Sequence, residues 1–209
     1  MTHTERVHVL FGAGLALIGA LAILAERRHS RGVAASWPIL AFLAGLILFI
    51  PVEANTRTYT QVGWLELLRT IAPDHPDTWI SDWLDMTRRT HVIQHKIGGL
   101  AAMIGGLVEL GLARRWLQST TWRHVLPVAL MTAGLMFGIH GGTAHHLPFR
   151  IEQSQHHLLG GGLVIAGVSL GLFRVGLLRR PAWAMVWPVL TLLAGLSLAF
   201  FYRLPPEAP

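Results

Sequence analysis

The sequence predicts an all-α integral membrane protein, a six-transmembrane-helix bundle built from three tandem helical hairpins. Three observations predict it: six long apolar runs, charge gathered between them, and a pattern that recurs three times along 209 residues. Charged residues make up only 13% of the chain and hydrophobic ones 52%, whereas a soluble domain carries roughly a quarter charged residues. The runs cover about residues 7–25, 37–52, 93–112, 125–139, 158–175 and 183–201. Each is near the ~17–25 residues that a helix needs to cross the hydrocarbon core. Membrane strands alternate apolar and polar residues; these runs do not.

A net charge of +6 would suggest nucleic acid in a soluble chain. Here the positive-inside rule accounts for it, and no nucleic-acid partner is expected. Arg27, Arg28 and Arg31 follow the first run, Arg114, Arg115 and Arg123 the third, and Arg174, Arg179 and Arg180 the fifth. That face carries nine arginines against two acids, Glu26 and Glu109. The other face mixes eight basic with nine acidic residues over longer loops. The expected placement is multi-pass in a bacterial inner membrane. The N-terminus, residues 55–90, residues 141–155 and the C-terminus then lie outside the cytoplasm. A signal peptide places its positive charge before the apolar core. The first run has Arg6 before it and Glu26-Arg27-Arg28 after it, so it reads as a retained helix.

The repeat is read from spacing. His8, Gly12 and Gly19 are spaced as His95, Gly99 and Gly106, and as His156, Gly160 and Gly167. Pro38 precedes Gly45 as Pro127 precedes Gly134 and Pro188 precedes Gly195. The second and third copies are offset by 61 residues, which lays Gln94-His95 on Gln155-His156. A single membrane domain over residues 1–209 follows, with hairpins at about 5–53, 91–140 and 153–203 and a loop at 55–90. Positions i, i+4 and i+11 share one helical stripe. Glycines there admit a neighbouring backbone, and the histidine heading each stripe is expected to point into the bundle. The three prolines are expected near helix starts, where no amide donor is missed.

Twelve histidines are present and cysteine is absent, which excludes disulfides and thiolate ligands. His8, His91, His95, His140, His145, His146, His156 and His157 fall at helix ends of the face poor in arginine, or in its adjoining loop. His91 and His95 form an i, i+4 pair, as do Met136 and His140. Such a gathering at membrane depth is costly and marks a site, and imidazole is a common metal ligand. Histidine with thioether suits copper, Met103 and Met136 supplying sulfur at depth; zinc satisfies the same donors. The main alternative is haem b held by His95 and His156 in an electron-transfer subunit, with Gly99 and Gly160 leaving room for the macrocycle. A further alternative is a di-iron membrane oxygenase. His91-x3-His95, His140-x4-His145-His146 and Gln153-x2-His156-His157 are similar to its histidine boxes, but those boxes face the cytoplasm and lie farther apart. A last alternative is an accessory or assembly subunit with incidental histidines.

Gln94-His95-Lys96 with Gly106 and Glu109, then Pro127, Gly134 and His140, then Glu152 and His156-His157 before Gly160-Gly161, resembles the C-terminal membrane region of CopD-type copper-resistance proteins. The resemblance covers about residues 90–180. It implies copper handling at the extracytoplasmic face, with His95, His140 and His156 as the inner set. His8, His91, Met136, His145, His146 and His157 stand in reserve. Binding by neutral imidazole implies metal release below about pH 6.

Residues 55–90 hold Trp64, Leu65, Leu67 and Leu68 and then Trp79, Trp83, Leu84 and Met86, separated by Pro73 and Pro76. Two interfacial helices are expected there. They suit a lid, a lipid anchor, or a docking surface for an extracytoplasmic metallochaperone or a larger membrane complex. Glu53, Asp82 and Asp85 suit a role as histidine-orienting acceptors. Phosphate loops, nucleophile elbows and Ser/His/Asp sets are absent from the sequence, so no activity of the chain's own is read. No ionisable series continues past Met103, which weighs against transport.

Overall fold

The computed structural model describes residues 3–28, 31–49, 90–140 and 151–201. They form six α-helices: α1 (His3–Arg28), α2 (Arg31–Phe49), α3 (Thr90–Ala113), α4 (Val125–His140), α5 (Ile151–Arg174) and α6 (Val186–Phe201). Short 3-10 turns, Thr120–His124 and Pro181–Met185, lead into α4 and α6. Six spans of 18–20 residues are long and apolar enough to cross a membrane. The fourth apolar run, short by sequence, is lengthened by its turn to Thr120–Ile139. The expected interfacial helices of residues 55–89 lie outside the described residues.

The helices form a closed ring in which each packs on its chain neighbours and α6 returns to α1. The closest pairs are α2 with α3, α4 with α5, and α6 with α1. Glycine explains all three. A Cβ on Gly99 would stand 2.7 Å from the Gly45 carbonyl oxygen, and one on Gly106 2.6 Å from that of Pro38. On α5, Gly160 would meet the Gly134 oxygen at 2.6 Å and Gly167 the Pro127 oxygen at 2.6 Å. On α1, Gly12 would meet the Gly195 oxygen at 2.8 Å and Gly19 the Pro188 oxygen at 2.7 Å. The glycine stripe of α1, α3 or α5 thus lies against the proline–glycine face of α6, α2 or α4, antiparallel to it. Close backbone approach at small residues is the packing mode expected of helices suited to a membrane.

The residues before the three prolines, Trp37, Leu126 and Trp187, are all buried and share one core cluster with Ile18, Ala22, Ala166 and Leu170. The Trp37 and Trp187 rings lie 4.9 Å apart between centroids, tilted by 54°. A tilted contact at this separation suits the ring quadrupoles. Above the tryptophans, all six helices line a narrow apolar cavity of about 80 Å³ that reaches Phe11 and Phe137.

Pro127 and Pro188 are third residues of their helices, as the spacing predicts. Pro38 is not: it lies inside α2, because the segment wound as a 3-10 turn before α4 and α6 is continuous α-helix here. An interior proline cannot donate to the carbonyl four residues back. Two residues before it, Ser36 shares its hydroxyl between the carbonyls of Gly32 and Val33, at 3.1 and 3.0 Å.

α3 and α5 end alike. The Arg115 amide donates to Leu112 at 3.0 Å and that of Trp116 to Gly111 at 2.8 Å. In the same pattern, Gly176 donates to Phe173 and Leu177 to Leu172, both at 3.0 Å. Both are Schellman closures whose pivotal residue takes positive φ: 80° at Gly176 and 61° at Arg115. A non-glycine residue there costs about 1 kcal/mol. Arg115→Gly is therefore expected to stabilise the protein by up to about 1 kcal/mol, read as a raised denaturant midpoint in detergent. An unchanged or lowered midpoint would show that the arginine side chain contributes as much as the strain costs.

A buried polar pole on the helix bundle

Because neighbours run antiparallel, α1, α3 and α5 start at the end of the ring where α2, α4 and α6 finish. His8, His95 and His156 lie in the starts of α1, α3 and α5, and His140 is the last residue of α4. The arginine-bearing turns lie at the opposite end. The side chains of His8, His91, His95 and His140, and all of His145 and His146, lie outside the described residues.

His156 is 3% exposed, as expected of a residue heading its glycine stripe. Its ring centroid lies 6.5 Å from that of Phe137 at 36°. Phe137 in turn packs on Phe11 at 6.4 Å. These rings separate the imidazole from the apolar cavity below. His157 points away and is exposed, since adjacent helical residues diverge by about 100°. Met136 is half-buried. Gln94 and Lys96, at the start of α3, are 7% and 8% exposed. The pole therefore buries an amide, an amine and an imidazole above a nearly hydrocarbon interior. Groups of this kind are costly at such a depth.

One expectation needs correction. Gly99 and Gly160 leave no room for a macrocycle, because the backbones of Gly45 and Phe49, and of Gly134 and Gly138, fill the space a side chain would take. Met103 packs at this level against α2, its Cγ 2.8 Å from where a Cβ on Gly45 would stand. Among the described residues, no three or more His, Asp or Glu side chains gather as a metal-holding group. These residues place one imidazole in the pole.

Motif reading passed over two features. Gln94 and Lys96, which flank His95 in sequence, are buried, and the signal available was the Gln-His pair recurring as Gln155-His156. At the arginine end, Arg174 Nη1 donates to Glu109 Oε1 at 2.7 Å and also to the Arg123 carbonyl. Glu109 occupies the repeat position of Ala22 and Leu170, 1% and 3% exposed, so a core position holds an acid. This network ties α3, the turn before α4, and α5 together.

The chain matches no family model, and no curated protein or solved structure matches it.

Proposed function

We propose that this chain is a multi-pass protein of a bacterial inner membrane, built from three helical hairpins, which binds a metal ion at its extracytoplasmic pole. The proposed metal is copper, received and passed on rather than transformed. One observation carries the reading: the buried imidazole of His156 stands at the repeat position that His8 and His95 also occupy, above an apolar interior. The nine arginines at the opposite end support the orientation by the positive-inside rule. His95 and His140 belong to the same end by topology and complete the proposed inner set, with His8, His91, Met136, His145, His146 and His157 around it. The resemblance to CopD-type proteins over residues 90–180 supports copper in particular.

The test is elemental mass spectrometry of the gently solubilised, affinity-purified protein and of His156→Ala. About one copper per chain is expected for the native protein, with at least tenfold less in the variant, since loss of one inner ligand removes several kcal/mol of binding. Undiminished copper in the variant would exclude His156 as a ligand. Stoichiometric iron with a Soret band would replace the reading with haem b, and iron without one with a di-iron centre.

A further inference from the structure

Between α3 and α4, on the outer surface of the ring, runs a groove of about 450 Å³. Ile97, Leu100 and Ile104 of α3 and Val128 and Thr132 of α4 form its walls, and it ends at Thr121 and His124. The α3 wall covers residues 97–104, about 10 Å of helix. Ile97 is the second residue of the α3 span and His124 lies near the start of the antiparallel α4 span, so the groove runs from the arginine end past mid-span. Its apolar walls are 38–55% exposed at Ile97, Leu100, Ile104 and Val128, on a helix pair suited to a membrane.

The end of the groove at Thr121 and His124 is basic. Arg123 and His124 are exposed there, with Arg114 and Arg115 exposed at the end of α3. The internal repeat provides a comparison within the same chain. Positions 123 and 124 correspond to Ala34-Ala35 in the first copy and Ala184-Met185 in the third. Ala35 and Ala184 are buried at 5% and 8%. Only the second copy carries an exposed basic pair at these positions. The turn bearing that pair is fixed: Ser119 accepts from the Thr121 amide at 3.4 Å, and Arg174 donates to the Arg123 carbonyl.

We propose that this groove binds one anionic phospholipid, its acyl chain between α3 and α4 and its phosphate at Arg123 and His124. The apolar walls suit the chain, and the basic pair, placed where the groove meets the headgroup level, suits the phosphate. A free phosphate would use the pair but not the groove; the apolar walls commit the site to lipid. The phosphate end of the seat lies at the opposite end of the bundle from His156, and the proposal rests on the membrane reading but not on the metal reading.

The experiment is native mass spectrometry of the full chain in detergent, titrated with phosphatidylglycerol or phosphatidylcholine. One phosphatidylglycerol is expected to stay bound where phosphatidylcholine does not. Replacing the pair with its third-copy counterpart, Arg123→Ala with His124→Met, is expected to weaken retention about fivefold or more. Val128→Trp, which fills the groove and keeps every charge, is expected to lose the lipid too. Arg179→Ala with Arg180→Ala removes two charges from the other turn and is expected to keep it. The proposal is overturned by equal binding of the two lipids, by undiminished retention in either groove variant, or by equal loss in the Arg179/Arg180 control.

Discussion

Gly160→Leu is expected to abolish the native bundle, whereas Gly161→Leu is expected to leave it nearly unchanged. The two glycines are adjacent in α5, and helix propensity alone would favour leucine at both by up to about 1 kcal/mol. Their surroundings decide. A Cβ at position 160 meets the Gly134 oxygen and the Gly138 nitrogen, both at 2.6 Å, and both are backbone. Backbone cannot rotate aside as a side chain can, so α4 and α5 must separate along their length. Overpacking a tight core typically costs ~1–3 kcal/mol, and this contact gives up a whole helix interface besides. At position 161 nothing lies within 4 Å. Cooperative thermal unfolding in detergent, followed by circular dichroism, distinguishes the pair. Equal midpoints would mean that α4 and α5 do not approach as described.

Arg174→Ala is expected to damage the protein more than Glu109→Ala, although the two residues form one ion pair. Their side chains are 18% and 10% exposed. Removing the arginine strands a short carboxylate at a core position, and breaking a buried pair in this way costs ~3–5 kcal/mol. Removing the acid leaves a long guanidinium that still donates to the Arg123 carbonyl and can extend toward the headgroups; about 1–2 kcal/mol is expected. The double variant is then expected to be more stable than Arg174→Ala alone. Denaturation midpoints of the three variants test this. Equal losses in both single variants would mean that Glu109 reaches water when its partner is gone.

Much of the fold is legible from small residues. The glycine and proline spacings that define the repeat are the same positions at which helix backbones touch, so a pattern found by self-comparison is also a contact map. Its partners were harder to read. Gly99 faces Gly45, and Gly160 faces Gly134; each stripe thus serves the preceding copy, a relation that spacing inside one copy does not contain. Pro38 shows another limit, since whether the preceding turn winds as α or 3-10 depends on tertiary packing. At the pole, the burial of His156 follows from its place on the stripe. That of Lys96 does not, because a lysine near a helix start ordinarily extends to the interface.

The joint between α6 and α1 is made of the same glycine and proline contacts as the other two, although these two helices are the farthest apart in sequence. Cohesion of the ring is therefore separable from the continuity of the polypeptide.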